Sequence, residues 1–207
     1  TIAAPNSDNN NTLTLPDEAG TVLTSASSIP SSQITGSLGG TTLVDSGSFT
    51  GATTVSADSV FTSTYKNYRL FINSGVSNSG DQDFSLQMRS GGSTNGTSNY
   101  SYTQGYVNIA LNKDLYTAFG GDSNTDWFIF DNHDNSHDIT FVIDLHNPAT
   151  TNYTQVNWNI YGYDNGYTKW VGGFGRHKTT TSFDGWILSR NNGTVTGTYT
   201  LYGWNES

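Results

Sequence analysis

The residues best suited to chemistry lie between positions 91 and 175. Asp122-Ser123-Asn124-Thr125-Asp126 has the alternating oxygen donors that open a calcium loop. Trp127 stands where the hinge glycine belongs and His133 where the bidentate carboxylate belongs, so an Asx-rich turn is the preferred reading. Asp131, His133, Asp134, His137 and Asp138 crowd the following stretch. Imidazole and carboxylate together suit a divalent metal, but His at i and i+4 converge on a helix and not on a loop, and no helical pattern occurs here. No metal site and no cofactor are expected.

Nucleophilic and hydrolytic arrangements are absent as motifs. There is no Gly-x-Ser-x-Gly elbow, and 17 acidic residues will place some carboxylates together by chance. Gly172-Gly173-Phe174-Gly175 lacks the lysine and following helix of a phosphate loop and reads as a close strand approach or a bulge. No catalytic residue and no enzyme activity are predicted. Asn-x-Ser/Thr sequons at Asn10, Asn95, Asn99, Asn152, Asn192 and Asn205 matter only in a glycosylating host.

Recognition fits better. Tyr161, Tyr163, Asp164, Asn165, Tyr167 and Trp170 flank a hairpin turn. Aromatic rings stack on sugar faces while Asp and Asn bond hydroxyls, so these six form the candidate glycan site. Cross-strand aromatic pairing, at a few tenths to about 1 kcal/mol per pair, accounts for the same pattern without a ligand. The loop from Gly91 to Tyr102 has the Tyr, Ser, Gly and Asn mixture of adaptable recognition loops, or is a plain surface loop.

The elements that must position these residues are strands. Ile139, Phe141, Ile143 and Leu145 alternate with polar residues at period two, as do Tyr68, Leu70 and Ile72; Phe84, Leu86 and Met88; Val156, Trp158 and Ile160; and Tyr199 and Leu201. Further strands are predicted at 100-109, 125-130, 167-175 and 183-190, with turn signals at Ser90-Gly91-Gly92, Asp164-Asn165-Gly166 and Asn191-Asn192-Gly193. The expected fold is all-β, an antiparallel, jelly-roll-like β-sandwich of eight to ten strands with an extended N-terminal leader.

Composition agrees. In 207 residues, 33% hydrophobic and 12% charged, Gly, Ser, Thr and Asn dominate and helix formers are scarce. The 13% aromatic content supplies the burial that disordered chains lack. A net charge of -9 disfavours nucleic acid and anionic membrane as partners, and no apolar run is long enough to insert. Zero Cys removes disulfides and thiol chemistry.

The first aromatic residue is Phe49 and the first basic residue Lys66, so residues 1-48 read as a core-poor leader and 49-207 as the folded domain. Residues 11-24 have two short alternating strands about a Pro16/Gly20 turn, followed by an extended Ser-rich connector around Pro30. A two-stranded fragment is marginal alone, so Leu13, Leu15, Val22, Leu23, Ile29 and Ile34 are the candidate anchor and oligomerisation residues.

The segment Thr12-Leu13-Thr14-Leu15-Pro16-Asp17 through Gly20-Thr21-Val22-Leu23-Thr24 resembles one that recurs in tail-fibre and other appendage proteins of tailed bacteriophages, particularly of aquatic bacteria. Residues 60-72 and Gly197-Thr198-Tyr199-Thr200-Leu201-Tyr202-Gly203 resemble the first and last strands of small β-domains that end such proteins. The resemblance implies a virion surface protein, often a homotrimer. Two functions follow: attachment to a host-surface glycan, with residues 1-48 joining other virion proteins, or capsid decoration with a purely structural role.

Overall fold

The structure, a computed structural model, describes residues 40–77, 82–108, 115–133, 137–164 and 166–205. The anchor residues Leu13, Leu15, Val22, Leu23, Ile29 and Ile34, the leader strands, and Asn165 and Asp134 lie outside the described residues.

The described chain is all-β, two antiparallel sheets packed as a sandwich. An eight-stranded sheet contains β1 (Thr42–Ala52), β3 (Asn67–Ser77), β6 (Tyr100–Asn108), β7 (Leu115–Asn124), β9 (Ile139–His146), β10 (Gln155–Asp164), β11 (Tyr167–His177) and β13 (Thr194–Trp204), in the order β1-β13-β3-β9-β10-β11-β6-β7. The second contains β2 (Thr54–Ala57), β12 (Gly185–Arg190), β4 (Gln82–Ser90) and β5 (Ser93–Thr94), with β8 (Trp127–His133) also paired to β4.

Alternation builds the core. Ile139, Phe141, Ile143 and Leu145 of β9 have no exposed surface, and each outward neighbour is half-buried. The inward faces of β3, β4 and β10 behave likewise, closing over Trp127, Trp158, Trp186, Phe84, Phe130 and Phe141. One buried Trp or Phe is worth about 3–5 kcal/mol against Ala, so a sandwich with this many needs no disulfide. The Gly91-Gly92 turn has positive φ at both residues, +57 and +77, which a two-residue hairpin demands and only glycine adopts freely.

The strands number more than the eight to ten expected. Leu43 to Ala52 intersperses Ser and Gly among its apolar residues and has no fully buried residue; among the described residues β1 is an edge strand that pairs with β13 alone. The boundary expected at 48/49 falls inside it, since Thr42 and Ser48 are already in register with Gly203 and Thr198.

Candidate functional site

The hairpin β10–β11 places Tyr161 directly opposite Trp170 and Tyr163 opposite Thr168. Val156, Trp158 and Ile160 point inward on the same strand, so the pleat puts Tyr161, Tyr163 and Trp170 together on the outer face of the large sheet. Tyr161 is 52% exposed. Tyr163 is already engaged: its ring stacks on His137 at 3.7 Å and its hydroxyl donates to Gly166 O at 2.8 Å. Asp164 and Tyr167 pair with each other at the end of the hairpin. Asp164 accepts a 3.0 Å hydrogen bond from Lys169 Nζ on the inner side, so it does not face the rings. The five described residues of the expected six therefore divide between two faces.

The run Gly172-Gly173-Phe174-Gly175 explains how Trp170 is held. A Cβ on Gly172 would lie 2.4 Å from Trp170 Cζ2, so the indole lies along the strand over the bare backbone of Gly172. In register, Gly172 sits between Asn159 and Gly105, which leaves room beside the ring. On the inner face, a Cβ on Gly173 would meet Trp158 at 2.4 Å and one on Gly175 would meet Trp127 at 2.8 Å. Each glycine thus carries a tryptophan. The pairing of β11 with β10 and β6 runs through this stretch residue for residue, so the close approach is of rings to backbone and there is no bulge.

Beyond Gly172, Phe174 projects outward with 64% of its surface exposed. It forms one wall of a groove of about 550 Å³ on the same face, lined also by Thr103, His146, Gln155, Asn157 and Arg176. At about 3.3 Å per residue, Phe174 stands some 7 Å along β11 from Gly172, so the Trp170 ring extends toward the groove.

A polar ladder stiffens the floor. Arg69 Nε and Nη2 donate to the two oxygens of Asp144 at 2.6 and 2.8 Å, a bidentate pair that holds the guanidinium more firmly protonated. Asn157 Nδ2 donates to Asp144 Oδ2 at 3.2 Å. The two ring nitrogens of His146 lie 2.8 Å from Asn67 Oδ1 and 3.2 Å from Asn157 Oδ1. Arg69 also sits 6.0 Å over the Trp204 ring, and Arg176 lies 5.6 Å over Tyr153. The face therefore combines exposed rings with amide and charged groups already fixed in orientation, the pairing that sugar binding needs.

The other candidate clusters disperse. Asp131 turns to Lys169 at 2.6 Å. His133 is fully buried, its Nε2 3.0 Å from His137 O and its Nδ1 accepting from Tyr163 N at 3.3 Å. Asp122 pairs with Lys178 at 2.9 Å, while burial raises the Asp126 carboxyl above its ordinary value. No group of three His, Cys, Asp or Glu among the described residues could hold a metal ion. The 91-102 loop is closed on itself: Asn95 Oδ1 accepts from Thr97 N and Oγ1, and Tyr100 OH donates to Asn95 O at 2.7 Å.

The groove was not foreseen from the sequence. Gln155 and Asn157 show there only as the polar half of an alternation, and their convergence with Phe174 requires the register of β9, β10, β11 and β6. Compared with protein families, curated proteins and solved structures, the chain finds no significant match.

Proposed function

We propose that this protein is a virion appendage component whose β-sandwich binds carbohydrate on the outer face of its eight-stranded sheet. The carrying observation is the half-buried Trp170 indole laid over Gly172 beside the groove that Phe174, Asn157, Gln155 and Arg176 line. Rings offer apolar faces to the C–H side of a sugar, and the amides and guanidinium bond its hydroxyls. Tyr161 adjoins Trp170 as part of the same surface. An open groove of this kind favours weak single-site binding, made useful by several copies displayed together, as in a homotrimer. The virion setting rests on the tail-fibre-like segments at 12-24, 60-72 and 197-203.

The test is binding of the full chain to an array of bacterial surface polysaccharides, with Trp170→Ala and Phe174→Ala beside it. Retention lost by roughly tenfold or more in both variants, at unchanged melting temperature, supports the reading. Equal retention by all three proteins, or none by the wild type, refutes it. Immunogold labelling of virions locates the protein: label at fibre tips fits attachment, and label spread over the head fits the decorating role instead.

A further inference from the structure

The inner end of the β10–β11 hairpin holds a lysine where none is expected. Lys169 sits on the inward face of β11 in series with Val171, and its side chain is 1% exposed. Its Nζ lies 2.6 Å from Asp131 Oδ1, 3.1 Å from Asp131 O and 3.0 Å from Asp164 Oδ2. The rings of Tyr106 and Phe130 close over it at 4.6 and 5.2 Å. Lysine is almost never buried so completely, because removing an ammonium from water is costly. Here it is caged with two carboxyls in a mostly apolar chamber, and the three are contributed by β8 of one sheet and β10 and β11 of the other.

We propose that Lys169 condenses with Asp131 to form an intramolecular isopeptide bond joining the two sheets, with Asp164 relaying the protons. The amine and the acceptor carboxyl are held in contact by the fold, which replaces a bimolecular encounter by a positioned one. Asp164 takes a proton from the ammonium, freeing the nitrogen lone pair. Nζ attacks Cγ of Asp131, and the N–C bond forms. The bond from Cγ to one carboxyl oxygen breaks as that oxygen leaves with two protons, both originally on Nζ and one passed through Asp164. The products are a neutral amide bearing one N–H and one water. One positive and one negative charge disappear from the interior, and no oxidant, metal or activating group is consumed. The hydrogen bond from Nζ to Asp131 O aims the amine during attack, and the partly exposed edge of Asp131 lets the water out.

The inference does not depend on carbohydrate binding. Its consequence is mechanical, since a load pulling β8 away from β11 would meet a covalent bond instead of side-chain packing.

The same contacts satisfy the three donors of an uncondensed ammonium, and the mass of the intact full-length chain separates the two states. The expected result is a mass lower than that of the sequence by one water, with tandem mass spectrometry of a digest finding the Lys169 and Asp131 peptides joined. A chain at the full sequence mass overturns the proposal, as does a water loss that maps to any other residue. Asp164→Asn keeps the size of the relay residue and is expected to fold, with unchanged near-ultraviolet circular dichroism, yet remain at its full calculated mass. A folded Asp164→Asn chain that still loses water overturns the assignment of Asp164.

Discussion

Two adjacent glycines on β11 should respond very unequally to the same substitution. Gly173→Ala points a methyl into the core, 2.4 Å from Trp158 Cζ2 and 2.7 Å from Gln104 Cβ. Neither neighbour can yield cheaply: Trp158 is 1% exposed, and the Gln104 contact is at the root of its side chain. Overpacking of this kind costs about 1–3 kcal/mol, and moving the indole strains the 3.3 Å hydrogen bond from Trp158 Nε1 to Gln104 Oε1, worth about 1 kcal/mol more. At about 2–4 °C per kcal/mol for a domain of this size, a loss of ~2–4 kcal/mol lowers the melting temperature by ~4–16 °C.

Gly172→Ala puts the methyl on the outer face against Trp170, equally close but half-exposed and free to change rotamer. An off-rotamer indole costs about 0.5–1.5 kcal/mol, offset by the roughly 0.5–1 kcal/mol that Ala gains over Gly within a strand. Scanning calorimetry should therefore find Gly172→Ala within a few degrees of wild type, with polysaccharide binding reduced because its ring is displaced. A Gly173→Ala chain that melts with the wild type would refute the claim that the core needs this glycine. Equal losses from both substitutions would refute the assignment of Trp158 and Trp170 to opposite faces.

Two further outcomes concern buried bases. Burial holds the His177 imidazole below its ordinary value, with a hydrogen bond to the Thr179 backbone partly opposing. The unfolded chain therefore takes up this proton near pH 6.5 while the fold resists it. Stability from this source is complete above that pH and declines below it toward the folded value, at up to about 1.4 kcal/mol per pH unit. His177→Phe, which suits a cage formed by Tyr100 and Phe183, should flatten urea-midpoint against pH between 7.5 and 5.5; an unchanged slope would assign the acid sensitivity elsewhere. Arg190 donates from Nη1 to Thr194 O, but its Nε and Nη2 meet no hydrogen-bond partner among the described residues, and burial lowers it to about 10. Arg190→Met keeps the stem over Phe84 and removes the charge, so it should be neutral or up to ~2 kcal/mol more stable by denaturant titration; a loss above ~2 kcal/mol would mean the guanidinium is fully paired.

What the sequence conveys depends on how locally each feature is encoded. β9 is legible because Ile139, Phe141, Ile143 and Leu145 all face one core, and β3, β4 and β10 read the same way. β1 and β7 are not: β1 breaks its alternation with a register shift between Leu43 and Asp45 and has Gly47 among its inward residues, and β7 ends in Gly120-Gly121-Asp122-Ser123-Asn124, which reads as a turn. The Tyr161–Trp170 pair is legible from the hairpin turn alone. That Asp164 turns inward is not, since its partner Lys169 becomes buried only once β8 crosses above it. A signal was present: Lys169 shares the inward register of Val171, and a charge in that register marks a site where the fold must supply counter-charges.

The two outer faces of the sandwich differ in a way that core packing does not require. The small sheet turns Thr54, Ser56, Ser85, Gln87 and Ser189 outward together with the nearly buried Ile187, and Phe128 on its edge strand is aromatic. The large sheet turns outward Phe71 and Tyr202, in edge contact at 6.1 Å, then Trp204, Tyr161, Trp170 and Phe174. A surface selected only for solubility would resemble the small sheet on both sides. Isolated exposed rings need no explanation, but rings gathered on one face beside an ordered ladder of Arg69, Asp144, Asn157 and His146 form a surface with both apolar and hydrogen-bonding capacity. A protein partner would gain from a broad apolar patch, whereas here the rings stand in pairs, Phe71 with Tyr202 and Tyr161 with Trp170, with Thr140, Asp144 and Asn157 on the strands between them. That spacing favours a ligand that alternates C–H faces and hydroxyls along its length, as a polysaccharide does.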